Sequence, residues 1–202
     1  NIISTTLAGL LKQNISAEAI VVIADNCSDA TAAIARGLGL TVIERFDNER
    51  RGKGYALDYG VKYLKENDQP DMVVILDADC EIDAKSLNTL VGQCFNCACP
   101  VQALYLMRHN ITGSLKRRIA GFAWLVKNKL RPIAVNKLGI SVTLTGTGMA
   151  FPWHVISSVS VGHGNIVEDM QLGIDCTLSG FAPVFCEQAV VYSEFPEQVD
   201  AE

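Results

Sequence analysis

Asp77 and Asp79 stand two apart directly behind the apolar run Val73-Val74-Ile75-Leu76. Where a chain leaves a buried strand, side chains no longer alternate strictly between faces, so both carboxylates can turn toward one point. Two hard anionic oxygens at a strand end, with room for waters and phosphate oxygens, suit Mg²⁺ or Mn²⁺. Such a cation neutralises a diphosphate when a phosphate-linked bond breaks. The plainer reading is a polar turn capping a strand. A bare Asp-x-Asp is common, and the apolar run before it is what makes this one informative.

Three further clusters carry possible chemistry. Arg51-Gly52-Lys53-Gly54 precedes a helical pattern, so its cations and backbone N–H groups can meet phosphate. Asp25-Asn26 follows a second apolar run. Glu168 and Asp169 are the first acids after Asp83 and open a helical pattern. A carboxylate there is a helix cap on one reading, and a general base taking a proton from a hydroxyl on the other. The residues alone leave both open. Other chemistries find no support. The Gly-x-x-x-x-Gly-Lys-[Ser/Thr] spacing is missing, as is a strand leading into Gly-x-Gly-x-x-Gly. His109, His154 and His163 are isolated from any spaced Ser or Cys nucleophile. Cys94, Cys97 and Cys99, with His109 as a fourth ligand, lack the two separated ligand pairs of structural zinc sites and read as packing residues. Trp124 and Trp153 read as core or interfacial anchors.

The elements that must position these groups alternate. Ala19 to Ala24 reads as a buried strand, Asp29 caps a helix through about Leu38, and Thr41 to Arg45 is a second strand. Lys53 to Lys65 carries apolar residues at helical spacing, and Met72 to Leu76 is a third strand. Asp83 caps the next helix, and Val101 to Met107 is a further strand. Strand and helix in alternation, with short connections, predict a mostly parallel α/β sheet covered on both sides. Ligands collect at the carboxyl ends of such strands, where Asp25-Asn26 and Asp77-Ala78-Asp79 both lie. The second half is less regular. Ser114 to Arg131 fits one long helix with Leu115, Ile119, Phe122, Val126 and Leu130 along one stripe and bases over the rest. Packing of that stripe on the sheet is the first expectation, and an anionic lipid interface the second. Thr145 to Met149 is a glycine-bearing turn, and Val167 to Leu178 a last helix.

At 202 residues with 49% hydrophobic content the chain fits one domain and is no disordered segment. No apolar run approaches the roughly 20 residues that cross a bilayer. The net charge of −5 argues against a general nucleic-acid binder. Its distribution says more: residues 1–83 hold 14 acids and 8 bases, residues 84–167 no acid and 9 bases, and residues 168–202 8 acids and no base. A basic middle in an acidic protein suggests a face turned toward something anionic. Seven scattered cysteines suggest a reducing, cytosolic compartment.

Taken in order, Asp25 to Thr31, Arg51 to Leu57, Leu76 to Asp79, Gly146 to Phe151 and Val167 to Asp169 resemble the motifs of the family 2 glycosyltransferases of the GT-A fold. The likeness runs over nearly the whole chain. It is nearest the membrane-associated branch that builds exopolysaccharides, cellulose, chitin or hyaluronan. The resemblance implies an α/β, GT-A-like sheet flanked by helices and lacking the family's first strand. Residues 1–202 would form a single catalytic domain, with a nucleotide-sugar half to about residue 100 and an acceptor half from about 101. It also implies roles. Asp25, with Asn26, would contact the base or ribose of a nucleotide-sugar, and Lys53 its diphosphate. Asp79 would ligate Mg²⁺ or Mn²⁺, with Asp77 on the nucleotide or a metal-bound water. Gly146, Thr147, Gly148 and Met149 would shape the donor and acceptor pocket, and Asp169 would be the catalytic base supported by Glu168.

The activity so implied is inverting transfer of a sugar, from a UDP-sugar by expectation, to a polysaccharide or lipid-linked hydroxyl. It would take place at the cytoplasmic face of the cell membrane, with membrane segments lying outside these residues. The abrupt start at Asn1 and the polar end at Pro196 to Glu202 read as those of a fragment. The family's first strand and its Gln-x-x-Arg-Trp segment would lie beyond the two ends. Two alternatives stand beside this reading: a sugar-nucleotide nucleotidyltransferase, and a non-catalytic nucleotide-sugar-binding or scaffold fragment.

Overall fold

The computed structural model describes residues 2–13, 15–67, 69–108, 115–162, 164 and 167–194. His109, His163, Ser114 and the tail Pro196 to Glu202 lie outside the described residues, as does the side chain of Arg117.

The first half follows the strand–helix alternation of its sequence. Helix α1 (Ile2–Leu11) leads to β1 (Val21–Asp25), α2 (Thr31–Gly37) and β2 (Thr41–Arg45). A right-handed crossover brings two successive strands side by side in one direction, and β1 and β2 pair in parallel from Val21↔Thr41 to Asp25↔Arg45. Asp29, the expected cap of α2, stands one position before the N-cap Ala30, its carboxylate accepting from Thr31 N–H at 3.0 Å. Next come α3 (Lys53–Glu66), β3 (Met72–Ile75), the two-residue β4 (Glu81–Ile82), α4 (Ala84–Cys97) and β5 (Val101–Arg108). Asp83 caps α4, accepting from Ser86 N–H at 2.7 Å.

The second half departs from the sequence reading. A strand β6 (Met149–Pro152) and a long strand β7 (Val184–Glu194) enter a five-stranded sheet in the order β3-β6-β5-β7-β4. The two longest pairings are parallel, as expected, and three shorter ones are antiparallel. Pairs β1–β2 and β5–β7 are parallel, whereas β3–β6, β5–β6 and β4–β7 are antiparallel. The parallel pattern rests on helical crossovers. β6 instead arrives from the irregular segment 138–148 and turns back along β3 and β5. The α/β class with a sheet flanked by helices stands.

The helix expected over Ser114 to Arg131 is α5 (Leu115–Leu125), a π-helical turn (Val126–Leu130) and α6 (Arg131–Lys137) in one continuous rod. Pro132 has no N–H to give to a carbonyl four residues back. The wider turn just before it lets Arg131 N–H reach Val126 O instead. The remaining helices are the single turn α7 (Trp153–Ile156) and α8 (Glu168–Leu178). Among the described residues no helix is long and apolar enough to cross a membrane.

The core has two main parts. Leu90 and Cys94 of α4 pack against Val101, Ala103, Ala150, Cys186 and Val191 on one face of the large sheet. Leu57 and Val61 of α3 and Leu172 and Cys176 of α8 meet Ile75, Met149 and Phe151 on the other. Cys97 and Cys99, read as packing residues, form a disulfide, while Cys94 is buried in the core. Cys80, Cys176 and Cys186 are free and buried, as expected.

Two predictions follow from this packing. Gly148 has φ of 61°, and a Cβ there would lie 2.6 Å from Val191 Cγ2 and 3.1 Å from Ala103 Cβ. Gly148→Ala is expected to cost about 1–3 kcal/mol, lowering the melting midpoint, whereas Gly37→Ala, with nothing within 4 Å, leaves it nearly unchanged. An equal midpoint for both variants would refute the close approach. The second concerns pH. Burial pushes the thiols of Cys80, Cys94 and Cys176 up to about 11 from an ordinary 9.0, and raises that of Cys186. Below the ordinary value these thiols are protonated in both states. Above it the unfolded chain sheds protons that the folded chain keeps, so stability falls as pH rises from 9.0 toward about 11. Urea midpoints measured across that window are expected to decline, and a rising midpoint would contradict the burial argument.

Candidate active site

Lys53 is the first residue of α3, reached through Gly52, whose φ of 118° turns the chain into the helix. Its ammonium donates to Asp77 Oδ1 and, at 2.7 Å, to the carbonyl of Gly146. The start of α3, the end of β3 and the glycine turn before β6 are thereby drawn to one nitrogen. The turn is fixed from below as well. Asp77 N–H donates to Thr147 Oγ1 at 3.0 Å, and Thr147 is fully buried.

Asp169 enters from the opposite side, on the first turn of α8, where the helix N-terminus favours a carboxylate. Gly146 has φ of 85°, and the position a Cβ would take there lies 3.3 Å from Lys53 Nζ and 3.4 Å from Asp169 Oδ2. Ammonium and carboxylate thus approach the same point, which only the missing side chain leaves open. Glu168 and Met149 line the same hollow as Lys53, Gly146 and Asp169.

Asp79 is exposed beside Asp77, and one ligand atom each from Asp77, Asp79 and Cys80 lies within 4.8 Å of the others. Cys80 Sγ donates to Asp79 Oδ1 at 3.5 Å. Burial raises the Cys80 thiol to about 11. Asp77 and Asp79 offer two carboxylates, a hard donor set that fits Mg²⁺ or Mn²⁺.

Not every residue singled out in the sequence joins this hollow. Asp25 ends β1 and accepts from Arg45 Nη1 at 2.6 Å, with the two side chains 19% and 10% exposed. Asn26, at φ of 52°, accepts from Asp47 N–H at 2.9 Å. The Arg45 guanidinium also lies 5.8 Å from the centre of the Tyr55 ring, two residues beyond Lys53. Asp25 and Asn26 therefore sit at the neighbouring strand end, joined to α3 through Arg45. Gly148 faces Val191 and Ala103 of the sheet instead of the hollow.

Two supporting residues escaped the sequence reading. Gln102 is 1% exposed, accepts from Thr145 N–H at 2.8 Å and donates to Thr147 O at 2.9 Å, so it holds the glycine turn from within the sheet. The signal was present as a lone amide inside the apolar run Val101 to Met107. Arg45 is the other, and its position at the last residue of β2 carried no comparable mark.

No curated protein matches the chain significantly. Its fold is that of a mannosyltransferase from Pyrobaculum calidifontis solved with GDP-Man and Mn²⁺, at TM-score 0.70 and 18% identity over 98% of this chain and 54% of that one. It is also similar to Staphylococcus aureus TarS (1-349) in complex with UDP-GlcNAc, at TM-score 0.64 and 14% identity over 99% and 57%. Mycobacterium tuberculosis glucosyl-3-phosphoglycerate synthase, bound to Mn²⁺, UDP-Glc and phosphoglyceric acid, matches at TM-score 0.55 and 21% identity over 89% and 61%. The chain thus spans little more than half the length of these structures. The family model described as "Glycosyltransferase like family 2" matches residues 1–202. Every residue of the Lys53–Asp77–Gly146–Asp169 cluster lies within that match, and the chain belongs to the family 2-like glycosyltransferases.

Proposed function

We propose that the intact protein transfers a sugar from a nucleoside-diphosphate sugar, a UDP-sugar in the first instance, to an acceptor hydroxyl with inversion at the anomeric carbon. What carries the reading is the single bridge from Lys53 to Asp77 and Gly146, with Asp169 on the far side of that glycine. A cation and the carboxylates Glu168 and Asp169 around one hollow, with Asp77 on that cation and Asp79 beside it, are parts that a displacement at a diphosphate-linked carbon requires. Family membership and neighbours solved with GDP-Man, UDP-Glc and Mn²⁺ or Mg²⁺ support it.

Asp169 takes the proton from the acceptor hydroxyl as that oxygen attacks the anomeric carbon. The nucleoside diphosphate departs from the opposite face, so one displacement inverts the configuration with no covalent enzyme intermediate. Lys53 exchanges its contact with Asp77 for a diphosphate oxygen, supplying a fixed cation where negative charge develops. Asp77 and Asp79 would hold Mg²⁺ or Mn²⁺, which when bound supplies further charge neutralisation to the leaving diphosphate. Asp25, buttressed by Arg45, holds the nucleoside end. Glu168 supports the base, and Gly146 and Met149 leave room for the sugar. A polysaccharide or lipid-linked acceptor and a site at the cytoplasmic membrane face complete the proposal.

Asp169→Asn keeps the shape and loses the base. Donor binding in titration calorimetry is expected to persist while turnover falls by about 10²- to 10⁴-fold; unchanged turnover removes the assignment. Asp79→Asn is expected to abolish the increase in UDP-sugar affinity produced by Mn²⁺. Donor binding by the unsubstituted protein that is indifferent to Mn²⁺ would sink the metal site while leaving the base untouched.

A further inference from the structure

The bases between Asp83 and Glu168 take no part in the site described, and most of them lie on the α5–α6 rod. The stripe that the sequence assigned to the sheet points the other way. Leu115 is 70% exposed, Ile119 60%, Phe122 66% and Leu130 56%, and Leu138 and Ile140 just beyond α6 are exposed as well. The inward side of the rod is instead Gly121, Trp124, Asn128 and Pro132. Trp124 fixes that orientation, donating from Nε1 to Tyr105 O at 3.1 Å and meeting the Tyr105 ring edge-on at 5.1 Å.

Bases frame the outward stripe. At about 100° per residue, Leu115, Ile119, Phe122 and Val126 share one side of the helix, Lys116 and Lys127 stand on one flank and Arg118 on the other. Lys129, Arg131 and Lys137 continue the row. Lys127 Nζ leans over Trp124, 5.5 Å from the ring centre, and Lys129 reaches Glu187 at 4.0 Å. Among the described residues no carboxylate pairs with Lys116, Arg118, Arg131 or Lys137. No acid lies anywhere in residues 84–167.

We propose that the outward face of the α5–α6 rod docks on an anionic lipid bilayer, with Leu115, Ile119, Phe122 and Leu130 entering the acyl boundary and the flanking bases meeting the headgroups. Charge complementarity selects the occupant. Apolar side chains in water flanked by cations, of which Lys116 and Arg118 have no carboxylate partner among the described residues, match a surface that is apolar within and negative at its rim. A second copy meeting it through the same face would bring cations against cations. The lysine and arginine stems are long enough to let the heads stay at the headgroup level while the stripe sinks. This docking is a property of residues 115–137 and is independent of the transferase reading, since it is measured with neither donor nor acceptor.

The test is co-sedimentation of the full chain with phosphatidylcholine vesicles, with and without phosphatidylserine. Binding is expected to the mixed vesicles, to fall at least tenfold without phosphatidylserine, and to weaken steeply with added salt. Ile119→Ser with Phe122→Ser changes only exposed side chains, so its melting midpoint is expected to hold while vesicle binding falls tenfold or more. Lys116→Gln with Lys127→Gln is expected to lower binding to mixed vesicles and flatten the salt dependence. Failure to bind mixed vesicles, or equal binding by the Ser variant, overturns the proposal. So does a dimer in sedimentation velocity that the Ser variant abolishes in the absence of vesicle binding, which would assign the face to a second copy.

Discussion

A single ammonium group organises the candidate site. Lys53 Nζ reaches Asp77 at the end of β3 and the Gly146 carbonyl in the turn before β6, residues separated from it by 24 and 93 positions. The contacts are partly buried, so the charges interact through less water than a surface pair would. An ammonium can also leave a carboxylate for a phosphate oxygen without changing its own charge. A group that holds the hollow together before a ligand arrives is thereby suited to hold the ligand afterwards.

That ammonium needs a rigid counterpart. The glycine turn supplies it by being tied on three sides: Lys53 above, the Thr147 hydroxyl beneath Asp77 N–H, and the Gln102 amide from inside the sheet. A buried amide satisfied at both ends is worth its burial only if the backbone it grips must stay put. Gly148 then locks the turn against Val191 and Ala103, while Gly146 leaves vacant the point that Lys53 and Asp169 share. Neighbouring glycines in one turn therefore do opposite things. One is small because the sheet is close, and the other because the hollow must stay open.

Charge is partitioned between two faces with different surroundings. The acids concentrate in the first and last parts of the chain, where Asp25, Asp77, Asp79, Glu168 and Asp169 lie near the strand ends. Lys116, Arg118, Lys127, Lys129, Arg131 and Lys137 lie on a rod whose α5 half is seated through Gly121, Trp124 and Asn128. Among the described residues both polar atoms of the Asn128 amide are buried without a partner. Ile133 and Val135 of α6 pack against Leu104, Val142 and Phe185, whereas Leu115, Ile119, Phe122 and Leu130 are exposed.

Much of the first half was legible in the chain itself. Apolar runs ending at Asp25 and Asp77, helical spacing from Lys53, and the caps Asp29 and Asp83 are local patterns, and local patterns survive folding because neighbours in sequence remain neighbours in space. The chemical types of the site were legible for the same reason: two aspartates behind a strand, a lysine before a helix, and acids at a helix start. What the chain could not reveal by itself was non-local. The antiparallel entry of β6, the register jump between Ala103 and Leu104 against β7, and the grip of Gln102 on the glycine turn depend on contacts across tens of residues. So does the meeting of Asp169 with Gly146 and Lys53. The outward turn of the Leu115–Phe122 stripe belongs with these. An amphipathic period says that a helix has an apolar side, and tertiary packing, with Trp124 on Tyr105 and Asn128 and Pro132 buried, decided which way that side would face.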